Sequence, residues 1–368
     1  MDTILEKFKG TLLGGALGDA IGKSLEDVPF EEVISFYGGA VRGFVEPHPH
    51  SPSVGLEPEQ TTDETTISIL LAESIVEKKS LEPHHFFSKL KEWAGKEEIH
   101  RYPDPTLITA IDLISSGVGL DDAGLLSSSV EGVLRCTITG LFHYYNPYLS
   151  AEAGRLVSLI THMSKEIYDA SAIVSALISF LVLESFDLRD LRDRLALIES
   201  LKTFIKHDKN KVYLDKVAKL LDSGADEEEA IREIGNSTFV FEALPLSIFL
   251  FLRYIEEPLE AFWRGVNACG MVGGDIDAIG YLLGSFVGAY GGLWVFPLEL
   301  LENFGKFPVL YFFSRKTLPD NYGIFGKEEL KDGLQVARGL FEHSKEKKGK
   351  GNYLSYQRCE ASGKDKVF

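Results

Sequence analysis

Apolar residues recur at intervals of three and four along most of the chain, the spacing expected for one face of an α-helix. The pattern is clearest over residues 4–13, 67–75, 107–114 and 156–163. Strict alternation of apolar and polar residues, which marks a half-buried strand, is scarce. The pattern therefore predicts an all-α fold.

Two stretches are more apolar than the rest. Residues 279–297 carry no charge and approach the length of a membrane span, and residues 170–183 form a shorter run of the same kind. However, two aspartates precede the longer stretch, glycine is frequent within it, and no basic cluster flanks it. We therefore expect both stretches to be buried core helices.

Two series of glycines recur every fourth residue, one near the start of the chain and one in its last quarter. On a helix, each series would form a strip without side chains, which permits very close approach of a neighbouring helix. Each interior glycine costs roughly 0.5–1 kcal/mol relative to alanine, so their regular spacing indicates a packing requirement. Because each strip adjoins a polar motif, close packing could bring those motifs together. The series are Gly10, Gly14, Gly18 and Gly22, and Gly280, Gly284, Gly288 and Gly292.

The segments between these strips predict one domain over residues 1–343. Residues 38–60 are rich in Pro, His and Gly and predict a long loop, a kind of segment that is often functional. Residues 185–233 are charged and predict a peripheral helical segment. From residue 344 onward Lys, Ser and Gly dominate, which predicts a mobile tail.

Composition and net charge narrow the range of possible functions and partners. Of the 368 residues, 45% are hydrophobic, enough for a large core, and the formal net charge is −17. Such a chain repels nucleic-acid backbones and anionic membranes, so we expect no general nucleic-acid binding and no membrane partner. A phosphate-bearing substrate would then need a cation at the site, which makes a carboxylate-held divalent ion attractive.

Cysteine use and the first residues bear on the compartment. The three cysteines show neither a CxxC pair nor Cys/His ligand spacing, which argues against a disulfide framework or a structural zinc site. The first residues lack the basic and apolar regions of a secretion signal. A cytoplasmic location is therefore expected.

The first polar motif is Thr62-Asp63-Glu64, which opens the helix predicted over residues 67–76. Thr or Asp at this position would cap a helix, and early acidic residues favour the helix dipole. Adjacent hydroxyl and carboxylate oxygens also suit Mg²⁺ or Mn²⁺. On local grounds the capping interpretation is the stronger of the two.

The second motif is Asp275-Ile276-Asp277, between paired glycines and a very apolar helix. One aspartate would cap the helix, whereas a second one beside a buried helix needs a partner or a metal. Cation binding and capping are evenly matched here. Asp19, inside the first glycine strip, is predicted to be a buried structural acid with hydrogen-bond partners, and Glu26 could reach the mouth of a site.

Taken together, the motifs resemble the ADP-ribosylglycohydrolase family, which includes the dinitrogenase-reductase-activating glycohydrolases. The matching sequences are Gly-x-x-x-Gly-Asp-Ala-x-Gly near the start, Thr-Asp-acid-Thr near residue 60 and Gly-Gly-Asp-x-Asp late in the chain. Arg135, Thr161-His162 and the segment from Gly235 to Pro245 fit the same order. The resemblance covers roughly residues 5 to 310.

The resemblance implies an all-α bundle with a magnesium or manganese centre of two ions in a cleft. Members of this family cleave the bond between ADP-ribose and a protein side chain or small acceptor. Glu26 would lie near the reacting ribose. The implied metal ligands are Thr62, Asp63, Glu64, Asp275 and Asp277.

The resemblance also implies substrate-binding residues. Residues 127–135 match the substrate loop, and the histidine matches one that lines the pocket. The implied set is Ser129, Gly132, Arg135, His162, Gly235 and Ser237.

Three positions depart from the family pattern. Glu64 stands where the family usually has Asp, and Ala278 stands where it has Thr or Ser, so that one oxygen ligand is missing. Val130-Glu131 replaces the Asn-Gly of the substrate loop. These changes would leave one metal position weak, completed by water, or empty, and would alter the specificity of the loop.

The sequence thus predicts a metal-assisted hydrolase that cleaves an ADP-ribosyl N- or O-glycosidic bond, with an ADP-ribosylated protein or small molecule as its partner. Glu26 or Asp63 would be the general base. One alternative is a non-catalytic member of the same fold that binds ADP-ribose or has a structural role. Another is a metal-dependent phosphohydrolase with an aspartate-rich helical site, which the absence of Asp-rich repeats on one helix disfavours.

Overall fold

The computed structural model describes residues 3–96, 103–304 and 328–349. Within these ranges the chain forms α-helices and short 3-10 turns, and its only β pairing consists of isolated bridges. The all-α prediction is confirmed. The helices are α1 (Thr3–Gly22), α2 (Phe30–Tyr37), α3 (Asp63–Lys78), α4 (Pro83–Ala94), α5 (Pro105–Ser115), α6 (Glu131–Leu134), α7 (Cys136–Phe142), α8 (Pro147–Ser158), α9 (Lys165–Leu183), α10 (Leu191–Lys202), α11 (Lys211–Ser223), α12 (Glu227–Ile234), α13 (Val240–Arg253), α14 (Pro258–Gly265), α15 (Ile276–Gly291), α16 (Leu298–Phe304) and α17 (Glu328–Gly349).

Three of the four periodic stretches lie in helices, namely in α1, α3 and α5. The helix predicted over residues 156–163 is wrong at its end, because α8 stops at Ser158. There the backbone changes partners: the Met163 N–H donates to the carbonyl of Leu125 at 2.6 Å, and the Leu125 N–H donates to the carbonyl of Thr161 at 2.9 Å. Pairing with a distant loop replaces the next helical turn.

The two glycine strips pack against each other along α1 and α15. Gly14 faces Gly284 and Gly18 faces Gly280, so the helices run antiparallel with their backbones in contact. A Cβ atom added to Gly10 would lie 2.5 Å from the carbonyl carbon of Gly292 and 2.7 Å from the carbonyl oxygen of Gly288. We call this contact the glycine seam. It confirms the close packing predicted from the four-residue spacing.

The most apolar helices are buried in the protein. Helix α15 is buried from Ile276 to Ala289, and its 16 residues end well before residue 297. Among the described helices, α9 is the one long and apolar enough to cross a membrane, and 78% of its most apolar window is buried. Both stretches are therefore core helices, as predicted.

The long loop predicted over residues 38–60 contains no helix and packs against the end of α1. The Ser51 hydroxyl donates to the carbonyl of Lys23 at 2.7 Å, and the Lys23 ammonium donates to the carbonyl of Pro58 at 2.9 Å. These contacts hold the loop beside the segment that leads into Thr62-Asp63-Glu64.

The peripheral segment, residues 185–233, carries α10, α11 and most of α12, and α11 packs on α13. The predicted end of the domain differs from the structure, because α17 continues past residue 343 to Gly349 and buries Ser344. The start of the tail is thus placed too early. The rest of the predicted tail, residues 350–368, lies outside the described residues.

The glycine seam makes a stability prediction. Gly10→Ala places a methyl group against the backbone of α15, so we expect the free energy of unfolding to fall by about 1–3 kcal/mol, as for other overpacked cores. Gly43→Ala is the control, because no atom lies within 4 Å of a Cβ at that position. Denaturant unfolding of both variants tests this, and equal stability of the two would contradict the close packing.

Candidate functional site

Carboxylates from four segments meet at one end of the glycine seam. The seam sets the end of α1 beside the start of α15, and the first turns of α3 and α6 approach the same place. Four of these carboxylates come from the starts of α3 and α15 and are only 4 to 9% exposed: Asp63, Glu64, Asp275 and Asp277. We call the group the acidic cluster: Glu26, Asp63, Glu64, Glu131, Asp275 and Asp277.

Asp19 organises the start of α3. Its Oδ1 accepts a hydrogen bond from the Thr62 hydroxyl at 2.9 Å, and its Oδ2 accepts one from the Thr65 hydroxyl at 2.5 Å. The amides of both threonines also donate to it, at 3.1 and 3.2 Å. Asp19 is therefore the buried structural acid that was predicted. Thr62 precedes α3 but makes no side-chain cap, since its hydroxyl donates to Asp19.

Asn236 organises the start of α15, a role that sequence reasoning missed. Its amide donates to the carbonyls of Ala268 and Gly273, both at 2.8 Å, and its backbone carbonyl accepts from the Asp275 N–H at 2.9 Å. From the other side, the Asp27 N–H donates to the carbonyl of Gly274 at 2.9 Å. The loop before Asp275 is thus held from two directions.

The acidic cluster is strongly self-repelling. Burial, followed by repulsion from Asp275, raises the pKa of Glu26 to about 8. Burial is also the main cause that raises the pKa of Asp63 to about 7, and it raises the pKa values of Glu64 and Asp277 well above their ordinary range. Such shifts mean that the ionised cluster lacks enough positive charge.

The side-chain cations nearby do not neutralise the cluster. Among the described residues, no Lys, Arg or His forms an ion pair with any of its six members. The buried Lys23 interacts electrostatically with Asp277, yet its ammonium donates to the backbone carbonyls of Ala20 and Pro58. Burial lowers the pKa of Lys23 to about 8.

The residues present fit a divalent cation. Glu64 is 6% exposed, and its Oε2 atom is buried without a hydrogen-bond partner. Carboxylate and hydroxyl oxygens are the donors that hard cations prefer. Ala278 offers only its backbone N–H, which donates to Asp277 Oδ1 at 3.0 Å. The cluster therefore has the charge and an open acceptor atom for a metal, but Ala278 leaves it one side-chain oxygen short of the family pattern.

Arg135 and His162, which the resemblance implied as substrate-binding residues, lie inside the protein. Arg135 is 2% exposed and His162 is fully buried. The Arg135 guanidinium donates to the Thr161 hydroxyl at 2.5 Å, and that hydroxyl lies 2.8 Å from His162 Nδ1. Both side chains thus contact Thr161, whereas Arg135 Nε is buried without a hydrogen-bond partner among the described residues. Their role in substrate binding stays a prediction.

Asp104, which sequence reasoning also missed, connects this pair to the acidic cluster. His162 Nε2 lies 2.7 Å from Asp104 Oδ2, and the Asp104 N–H donates to Asp63 Oδ2 at 3.3 Å. Although burial opposes it, the His162 contact holds the pKa of Asp104 below its ordinary value. Asp104 also caps α5, and an Asp-Pro pair in the sequence signals only that cap.

The two predicted substrate segments pair with each other beside the cluster. The Val130 N–H donates to the carbonyl of Thr238, and the Val240 N–H donates to the carbonyl of Ser128, both at 2.8 Å. The Ser129 hydroxyl lies 3.4 Å from that of Thr238. Ser129 is thus half-buried in a paired rim and remains a candidate for substrate contact.

The other predicted substrate residues shape this rim. A Cβ on Gly132 would lie 2.8 Å from Cγ of His162, so the glycine permits close packing there. Gly235 ends α12 with a φ of +94°, a conformation that favours glycine. The Ser237 hydroxyl donates to Glu242 Oε2 at 2.7 Å, which fixes the loop after Gly235.

A second group of ligand-type side chains belongs to α2 and the long loop. Ligand atoms of Glu32, His48 and His50 lie within 4.8 Å of one another. His50 Nδ1 is 2.7 Å from Glu32 Oε2, and the His50 N–H donates to His48 Nδ1 at 3.1 Å. These contacts occupy the His48 Nδ1 lone pair and link the group internally, without any carboxylate of the acidic cluster.

The raised pKa of Glu26 makes a prediction for metal-free protein. The unfolded chain releases this proton near pH 4.5 and the folded chain near pH 8, so stability is present below 4.5 and falls as pH rises towards 8. Denaturant unfolding in chelator should show this decline, and Glu26→Gln should remove up to about 1.4 kcal/mol per pH unit of it. The exposed Glu31→Gln should leave the slope unchanged; an unchanged slope in Glu26→Gln would refute the assignment.

Comparison with known proteins gives a consistent result. The family model described as ADP-ribosylglycohydrolase matches residues 1–329. An uncharacterized protein of Archaeoglobus fulgidus is 28% identical over 298 residues, which cover 81% of this chain and 91% of that protein. ADP-ribosylhydrolase ARH3 of Homo sapiens is 24% identical over 318 residues, covering 78% and 86%.

Two further similarities are more limited. ADP-ribosylarginine hydrolase Tri1 of Serratia proteamaculans is 36% identical over 91 residues, which cover 24% of this chain and 22% of that protein. A solved structure described as "ADP-ribosylglycohydrolase-related protein complex" matches with a TM-score of 0.65 at 20% identity, covering 94% of this chain and all of that one. That structure shows a shared fold. Because the family model spans most of the chain and its motifs meet in one cluster, the protein belongs to the ADP-ribosylglycohydrolase family.

Proposed function

We propose that this protein is a metal-dependent hydrolase that cleaves an ADP-ribosyl N- or O-glycosidic bond and releases ADP-ribose. The observation that carries the proposal is the acidic cluster, in which motifs from α3 and α15 meet without a balancing side-chain cation in a chain of this family. The names of the relatives, ADP-ribosylhydrolase ARH3 and ADP-ribosylarginine hydrolase Tri1, support the same class of substrate.

The proposed metal ligands are Thr62, Asp63, Glu64, Asp275 and Asp277, which would hold Mg²⁺ or Mn²⁺. When bound, these ions would orient the ribose hydroxyls and polarise the attacking water. The Thr62 hydroxyl donates its hydrogen to Asp19, so its oxygen lone pairs stay available on the other side. Two ions are expected from the family resemblance, and the missing oxygen at Ala278 would weaken one of the positions.

Glu26 is the leading candidate for the general base, with Asp63 as the alternative. Glu26 follows the 3-10 turn Lys23–Leu25 and faces the carboxylates of Asp275 and Asp63. It would take a proton from water as the water oxygen bonds to C1 of the ribose. The bond to the acceptor breaks, the acceptor leaves with the electron pair and takes up the proton that the base removed from water, and nearby carboxylates stabilise the positive charge on the sugar.

The partner proposed is an ADP-ribosylated protein or small molecule. The net charge of −17 favours a substrate bound through metal and backbone donors over a nucleic-acid backbone or an anionic membrane. A cytoplasmic location remains our prediction.

The test is ADP-ribose release from peptides ADP-ribosylated on serine or arginine and from small ADP-ribosyl compounds. We expect release with Mg²⁺ or Mn²⁺ and none in chelator. Glu26→Gln should lower the rate about 10²- to 10⁴-fold, as for loss of a general base. Asp277→Asn should restore activity only at higher metal concentration or not at all.

The matched control is Asp112→Asn, which changes an exposed aspartate of α5. It should retain wild-type activity. If no ADP-ribose is released from any of these substrates with either metal, the hydrolase proposal fails. Release of phosphate instead would indicate the phosphohydrolase alternative.

A second candidate function is ADP-ribose binding without hydrolysis. Ala278 favours it, because it offers no side-chain oxygen to a cation, and Glu64 and Val130-Glu131 also depart from the family pattern. Calorimetry with ADP-ribose and Mg²⁺ separates the two functions. Binding of ADP-ribose by a protein that releases none from any substrate would identify a binding protein.

A further inference from the structure

Glu131 belongs to the acidic cluster, although the sequence placed it only in the substrate loop. It is the first residue of α6, directly after the rim segment that pairs with residues 238–240. Helix α6 contacts both α3 and α15, which carry the two acidic motifs. Its carboxylate interacts electrostatically with Asp63 and Asp275, one from each motif.

Glu131 begins α6, which packs against α3, and its carboxylate lies close enough to that of Glu64 for the two to interact. Two ionised carboxylates that lie side by side repel each other, so a buried pair must share a proton or a cation. The Glu64 Oε2 atom is buried and has no hydrogen-bond partner among the described residues, and Glu64 as a whole is only 6% exposed. This open acceptor is a second sign, independent of the charge count, that a ligand belongs beside the pair.

A shared proton would leave most of the cluster's charge in place. Six carboxylates converge here, and a proton removes one negative charge, whereas a divalent cation offsets two and binds several oxygens at once. The cluster also lacks a side-chain oxygen at position 278, where Ala278 offers only an N–H group. Glu131 reaches the cluster from a helix that contributes none of the other five members.

We propose that Glu131 is a metal ligand of this chain, which binds a divalent cation together with Glu64 and supplies an oxygen that Ala278 does not. This inference rests on the proposed function for the presence of a metal at the site. It adds a specific consequence: the substrate loop is tied to the cation through its own first helical residue.

The test is titration of the full chain with Mn²⁺, followed by calorimetry and by the electron paramagnetic resonance signal of free Mn²⁺. Glu131→Gln keeps the shape of the side chain but removes its charge. We expect it to bind one Mn²⁺ fewer than wild type or to bind its weakest Mn²⁺ at least about tenfold less tightly. Asp277→Asn serves as a positive control for lost affinity.

The matched control is Glu166→Gln. Glu166 is also a half-buried glutamate in the first turn of a helix, α9, but its carboxylate accepts from the Ser128 hydroxyl outside the acidic cluster. It should bind Mn²⁺ like wild type. Thermal unfolding without metal verifies that both variants fold, and added Mn²⁺ should raise the midpoint of Glu131→Gln less than that of wild type.

The outcomes separate this inference from the proposed function. If Glu131→Gln binds Mn²⁺ with wild-type number and affinity, Glu131 is not a ligand, whether or not ADP-ribose is released. If wild type binds no Mn²⁺, the ligand role is also overturned. If Mn²⁺ binding weakens as expected but wild type releases no ADP-ribose, Glu131 stands as a ligand and the proposed hydrolysis fails.

Discussion

The backbone contact between α1 and α15 is the constraint on which the rest of the site depends. Along the two glycine series the backbones of α1 and α15 are in direct contact, so close that an added methyl group would meet carbonyl atoms. This contact places the end of α1, with Asp19 and Glu26, beside Asp275 and Asp277. Asp19 then captures the threonines at the start of α3. This helix contact, together with Asp19, thus determines where three of the four acidic segments lie: the segment with Glu26 and the starts of α3 and α15.

Two kinds of buried acid lie side by side in this arrangement. Asp19 accepts four hydrogen bonds from Thr62 and Thr65, so its burial is compensated by neutral donors. Among the described residues, the acidic cluster has no comparable set of donors, and Glu64 keeps an oxygen without a hydrogen-bond partner. Protein interiors do not retain such groups as packing material, because uncompensated burial costs several kcal/mol. Asp19 is therefore a structural acid, whereas the carboxylates of the acidic cluster are available to a ligand.

The sequence predicted this site best where local spacing carries the information. Glycines every four residues mark one helix face, so the α1–α15 contact could be foreseen, as could Asp19 as a structural acid. Asn236 and Asp104 could not, because their roles arise from contacts between segments that are 37 and 41 residues apart. Family resemblance suggested that Arg135 touches substrate, but no sequence pattern reveals that a charged side chain is buried. Glu131 joined the cluster through tertiary packing alone.

The glycine seam also has a consequence for how such a site can diversify. Any side chain larger than hydrogen at the seam would push the two helices apart, so the α1 and α15 sides of the site have almost no freedom to vary their separation. Variation enters more easily through side chains that leave this backbone contact unchanged, such as Glu64 and Glu131 in the first turns of α3 and α6. The seam therefore fixes the α1 and α15 side of the site, whereas the side chains in the first turns of α3 and α6 can vary. We expect new specificities to arise most easily by mutation of those side chains.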